Sequence, residues 1–139
     1  MADKKELQEK ILTYRILESK LDSLLKQRDM MTSRFLEVQN AIQSIDEIEK
    51  SKNEILFPIG SGVYTVGKVA EKDKLIVEIG ANVAIEKNPG EGKQMLTKRK
   101  SDIENGLNSI QMGIAEISSS LEQLGQEIQE LSEKMPGAG

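Results

Sequence analysis

The chain has 139 residues, of which 37% are hydrophobic, 3% aromatic and 30% charged, with no Trp, Cys or His and a formal net charge of −4. That length fits one domain, residues 1–139, but a globe of this size carries a richer core; few aromatics among many Glu, Lys, Gln, Leu and Ile suit a coiled coil, which buries a seam. The negative charge speaks against general attraction to nucleic acid, where binding rests on Lys and Arg, and the missing Cys and His remove disulfides, zinc sites and the groups that titrate near neutrality.

The opening MADKKELQEK lacks the apolar stretch of a secretory signal, and no apolar run approaches the ~20 residues of a membrane helix. A soluble, cytoplasmic protein with no membrane partner is the expectation. The first helical arm is predicted over residues 3–51. Asp3 is placed to cap it, with Glu6 three residues on as in a capping box. One face, stepped alternately by three and four, reads Leu7, Lys10, Tyr14, Leu17, Leu21, Leu24, Arg28, Met31, Phe35, Val38, Ile42, Ile45 and Glu49, ten of the thirteen apolar. That alternation marks the seam of a left-handed coiled coil. Arg28 interrupts the seam, as polar residues that fix register do. A helix this long needs a partner along its seam.

Residues 53–87 break the pattern: NEILFPIGSGVYTVGKVAEKDKLIVEIGANVAIEK is rich in Val, Ile and Gly. Four strands are predicted, near 54–59, 63–69, 75–79 and 83–86, arranged as two hairpins with turns at Gly60-Ser61-Gly62 and Gly80-Ala81-Asn82. Pro58 suggests a strand edge, and Gly67 a bulge or a close approach. Leu75, Val77 and Ile79 alternate onto one face, leaving Ile76 with Glu78 on the other. Four short strands leave open edges and uncovered apolar faces. The simplest solution is that they complete a sheet or barrel with other subunits. The residues expected to do so are Ile55, Phe57, Ile59, Val63, Tyr64, Val66, Leu75, Ile76, Val77, Ile79, Val83 and Ile85.

Asn88-Pro89-Gly90-Glu91 opens the second arm, predicted over 89–135, with Asn as cap, Pro at the first helical position and Glu completing a capping box. Its seam reads Leu96, Lys100, Ile103, Leu107, Ile110, Ile114, Ile117, Leu121, Leu124, Ile128, Leu131 and Met135, before Pro136 stops the helix and Gly137-Ala138-Gly139 frays. Gly106, Gly113 and Gly125 weaken this helix, and either let it flex or are tolerated on its surface. Arms of matched length around a compact insert favour an antiparallel intramolecular coiled coil over a parallel intermolecular one. The fold class is therefore mainly α, a long coiled-coil hairpin with a central four-strand β segment.

Chemistry is sparse. There is no GxxxxGK[ST] phosphate loop and no GxGxxG before a helix. Gly60-Ser61-Gly62 is a plain turn, and Asp46, Glu47 and Glu49 sit among polar residues on a helix, as a solvent face does. Neither enzyme activity nor any cofactor or metal is expected.

The stretches ILFPIGSGVYTVGKV and KLIVEIGANVAIEK, flanked by the two arms, resemble the α class of the prefoldin family. The likeness runs over essentially the whole chain, and its compact length looks more archaeal than eukaryotic. β-class subunits have one hairpin where this insert has room for two. The resemblance implies a hexamer of two α-class and four β-class subunits, whose hairpins assemble into a β-barrel platform from which six coiled coils hang. It also implies an ATP-independent co-chaperone that holds unfolded or nascent polypeptide at the coiled-coil tips and passes it to a group II chaperonin. A holdase needs exposed apolar surface, and the open end of an antiparallel coil supplies it. The client-contact candidates are Leu7, Ile11 and Leu12 with Ile128, Leu131 and Met135; Ile11 and Leu12 fall off the strict seam, and Met adapts to varied partners. The plainer reading packs all six into the coil. The competing functions are a structural coiled-coil adaptor without client binding, and an enzyme or nucleotide-binding domain that the missing chemistry nearly removes.

Overall fold

The computed structural model describes residues 2–135. The helix stop assigned to Pro136 and the glycine-rich end lie outside the described residues. The elements run α1 (Ala2–Lys50), β1 (Ile55–Gly60), β2 (Val63–Gly67), β3 (Leu75–Gly80), β4 (Val83–Lys87) and α2 (Pro89–Glu133). The mainly helical class with a central pair of hairpins holds. The chain forms two compact units, Met1–Ser33 with Glu104–Gly139, and Arg34–Ile103.

In the first unit α1 and α2 pair antiparallel. Met31 meets Gly106, Leu24 meets Gly113 and Tyr14 meets Gly125, so partners fall along one helix as they rise along the other. Lys10 Nζ reaches Glu127 Oε2 at 2.7 Å across the same interface. Within this unit the 3/4 seam is buried or half-buried at every position, and Leu7 and Leu121 are buried. The glycines are receptacles for α1 side chains: a Cβ on Gly106 would collide with the Met31 methyl, and one on Gly113 would lie 3.3 Å from Leu24 Cδ1. This corrects the reading of these glycines as hinges or neutral surface. Arg28 does not cross to α2; its guanidinium turns to the neighbouring Asp29 at 3.2 Å.

In the second unit the same antiparallel order holds. Lys93 Nζ spans to Asp46 at 2.9 Å and Glu49 at 2.8 Å. Lys100, the polar break in the second seam, lies over the Phe35 ring, 5.4 Å from its centroid, a cation–π contact that keeps its charge in water. Ile45 is buried at the seam.

Helix ends differ from expectation in detail. Since α1 already includes Ala2, Asp3 lies inside the first turn, where its charge favours the helix's positive end. Glu6 reaches Lys10 at 3.7 Å in place of a capping box. The Asn88 cap does form: Glu91 N–H donates to Asn88 Oδ1 at 2.8 Å, and the Asn88 amide donates to the Glu91 carboxylate. The last helical residue is Glu133, two short of the expected Met135; Pro136 disfavours α geometry in the residue before it. Met135 N–H instead donates to Ser132 O at 3.3 Å.

Each hairpin is a separate antiparallel two-stranded sheet. Both turns have two central residues at positive φ, Ser61 and Gly62 at 52° and 78°, and Ala81 and Asn82 at 51° and 60°. This is the turn whose twist matches that of paired strands. Gly60 and Gly80 precede them at φ 130° and 110°, a region essentially reserved for glycine. The ladders slip by one residue at Ile59 and at Ile79, so the bulges lie there and not at Gly67. A bulge re-aims its side chain, which is why Ile79 is exposed instead of sharing the half-buried face of Leu75 and Val77.

Candidate functional site

The hairpins carry the largest run of open apolar surface. Register assigns their faces. In β1–β2, Ile55 and Phe57 share one side with Thr65 and Gly67, whereas Leu56 pairs with Val66 and Pro58 with Tyr64 on the other. In β3–β4, Leu75 and Val77 share a side with Ile85, whereas Ile76 pairs with Glu86 and Glu78 with Ala84. Ile55, Phe57, Leu75, Val77 and Ile85 are half-buried. Ile59, Val63, Tyr64, Val66, Ile76, Ile79 and Val83 are exposed. Leu56 joins them at 63% exposure. Sequence reasoning missed it by following only the alternate residues of ILFPIG, although apolar residues at both parities already signal two apolar faces.

The half-buried side of β3–β4 is fixed against α2. Leu75 Cδ1 lies 2.6 Å from where a Cβ on Gly92 would stand, so the glycine seats this leucine on the first turns of α2. Arg99 Nη2 donates to the Glu78 carbonyl at 2.6 Å, and Lys87 pairs with Glu91 at 3.3 Å. The Phe57 ring covers Gly67, its Cε2 at 3.4 Å from a Cβ position there; that is the close approach expected of Gly67. A groove of about 430 Å³ between Ile48, Ile55 and Phe57 flanks the first hairpin. Neither anchor, Arg99 or Gly92, stands out in the sequence, because each is an ordinary helical residue until the strands return beside it.

The client-contact candidates lie in the other unit. Leu7 is 7% exposed and packs in the seam. Ile11, Ile128, Leu131 and Met135 are half-buried. Leu12 is open, at 61%. Ile11 and Ile128 come together with Tyr14 around a groove of about 240 Å³, where Gly125 leaves room and the Tyr14 ring stands 3.6 Å from its Cβ position. Beside it the Lys10–Glu127 hydrogen bond raises the lysine pKa and lowers that of the carboxyl. In the hairpin unit Lys93 is raised by its bonds to Glu49 and Asp46, and Asp46 is lowered by the bond from Lys93. These groups are solvent-accessible clamps between helices. No group of three or more metal-ligating side chains gathers among the described residues, and none of their helices is long and apolar enough to cross a membrane.

Two helices joined by two β-hairpins, with seams half-covered and strands left open, match one family model, described as prefoldin subunit, over residues 17–134. The chain belongs to the prefoldin family. Among related prefoldins, the subunit alpha of Pyrococcus horikoshii is 27% identical over 94% of this chain and 90% of its own length. That of Thermofilum pendens is 31% identical over 78% of this chain and 91% of its own. With the second hairpin, these matches place this prefoldin in the α class. A solved chain of filamentous PFD from Methanocaldococcus jannaschii, at 18% identity, superposes with a TM-score of 0.69 over 82% of this chain and 96% of that one. It supports the fold. The family is one of non-enzymatic co-chaperones, and a prefoldin-type role in protein folding follows for this chain.

Proposed function

We propose that this chain is an ATP-independent holdase subunit, acting in the cytoplasm as a single prefoldin domain. In this reading two copies join four β-class subunits, and the hairpins close with their neighbours into an intersubunit β-barrel. The helices hold unfolded or nascent polypeptide near their paired terminal segments and deliver it to a group II chaperonin. The observation that carries the reading is the hairpin surface, where eight large apolar side chains from Leu56 to Val83 stand exposed on two-stranded sheets. Sheets that small and that open are marginal alone and call for strands from elsewhere.

The burial of Leu7 favours the second reading, a structural adaptor that binds no client. One experiment separates them. With a β-class subunit present and no ATP, the chain should suppress aggregation of a denatured protein. Deleting residues 1–12 and 129–139 should remove that protection while the assembly keeps its size. Protection that survives the deletion would overturn the assignment of Leu7, Ile11, Leu12, Leu131 and Met135 to client contact, and an intact assembly that never protects would favour the adaptor.

A further inference from the structure

The two hairpins repeat one backbone at an offset of twenty residues: Ile55 corresponds to Leu75, Gly60 to Gly80, Val63 to Val83, with the ladder slip at the same place. What they expose differs. On β1–β2 the outer rungs, Leu56–Val66 and Pro58–Tyr64, hold no charge. On β3–β4 the equivalent rungs, Ile76–Glu86 and Glu78–Ala84, each hold one carboxylate. Ile76 between them is the most open of the large apolar side chains, at 71%, so this face is apolar ground with acid set into it.

The two carboxylates are not equivalent. Glu86 has Lys74 at 3.7 Å, whereas Glu78 makes no ion pair among the described residues. Its backbone is nevertheless fixed, by Arg99 at the carbonyl and by Leu75 seated on Gly92. An exposed carboxylate held in place beside an exposed isoleucine is tolerable in water. Covered by a partner, it loses hydration, and a hydrogen-bonding cation opposite offsets both the lost hydration and the charge. A second copy laid face to face on β3–β4 would bring acid to acid. Resting on the assembly reading above, we infer that the outer face of β3–β4 is a charge-selective docking surface for a β-class hairpin that presents Lys or Arg to Glu78. The same charge turns away another β3–β4 face, which is discrimination by repulsion.

The test uses the full chain and its β-class partner, with complex formation measured by sedimentation at low and raised salt. Glu78→Lys should weaken binding of the β-class subunit by at least about tenfold at low salt. A β-class variant with the facing cation changed to Glu should restore it. Glu78→Gln should flatten the salt dependence. Circular dichroism of each variant should match the parent, since the hairpin is anchored through the Glu78 carbonyl and Leu75, and the Glu78 carboxylate makes no ion pair among the described residues. If the parent forms the complex and Glu78→Lys forms it equally well at low salt, this inference falls and the assembly reading stands. If the parent forms no complex with the β-class subunit, both fall.

Discussion

Alanine at Gly106 and at Gly125 should behave differently, although both are mid-helix glycines facing the same partner helix. Glycine to alanine inside a helix is worth about 1 kcal/mol in propensity alone. At Gly125 the new methyl would stand 3.6 Å from Tyr14 Cε2, an ordinary van der Waals contact, so the whole of that gain should appear. At Gly106 the methyl would take the space held by the Met31 Cε. Driving that group out of the seam forfeits the burial of about one methyl, roughly 0.8 kcal/mol, and the net change should be close to zero. For a chain of this size about 1 kcal/mol corresponds to roughly 3–5 °C in Tm. Thermal unfolding by circular dichroism at one fixed protein concentration is the assay, because association shifts apparent stability. Gly125→Ala should melt higher by that amount and Gly106→Ala should melt with the parent. In a Met31→Ala background Gly106→Ala should recover its full gain, a coupling that a double-mutant cycle reads directly. If Gly106→Ala alone stabilises as much as Gly125→Ala, Met31 does not seat on that glycine and the notch account of α2 is wrong.

Gly80→Ala places a side chain at φ 110°, a strain of at least about 1 kcal/mol. Amide exchange in β3–β4 should speed up by about fivefold or more, with exchange in the Met31–Gly106 region unchanged; an unaltered β3–β4 rate would deny the turn geometry. The interhelix clamps set a pH window whose sign follows from their shifts. Asp46 and Glu127 are lowered from about 4, so their contribution is present above that value and fades as acid reaches their folded pKa. Lys10 and Lys93 are raised from 10.5, so theirs is complete below that and fades as alkali passes the folded pKa. Tm should be flat between, and Lys93→Met should reduce the acid fall; an undiminished acid fall in that variant would show that the Lys93 clamp is not its source.

The helices were legible because a seam is a property of spacing. From Leu7 to Ile45 the three–four alternation is written in the residues themselves, and those positions are the ones covered. The hairpin turns were legible for a similar reason: Gly60-Ser61-Gly62 and Gly80-Ala81-Asn82 are local, and local chemistry decides the turn. What the sequence hid depends on pairs distant in the chain. The bulges at Ile59 and Ile79 emerge only when a ladder is closed against the turn. The role of Gly106 depends on Met31 and that of Gly92 on Leu75, and a lone glycine in a helix carries no mark of what sits on it. Arg28 misled in the opposite direction. A polar residue in a seam fixes register only if it reaches across, and here the adjacent Asp29 takes it first.

The half-burial of the seam bears on why the strands are left uncovered. Two helices alone can shield a seam from one side only, and of the apolar seam side chains among the described residues just Leu7, Ile45 and Leu121 are buried, none of them completely. Such a pair draws its stability from length, with many partial contacts in place of one core. It therefore has little apolar surface to spare for covering two hairpins. Leu75 on Gly92 and Arg99 on the Glu78 carbonyl fix the second hairpin against α2, whereas on the first hairpin Phe57 covers Gly67 of its own sheet. Their outer rungs are left to whatever chain comes next. Because two-stranded sheets are marginal in water, an arriving strand supplies ladder bonds and burial together. In the assembly proposed above, the ordering of the hairpins and the growth of the assembly would be one process, and the residues on those rungs, Leu56, Tyr64 and Val66 against Ile76, Glu78 and Glu86, would decide which neighbour completes each sheet.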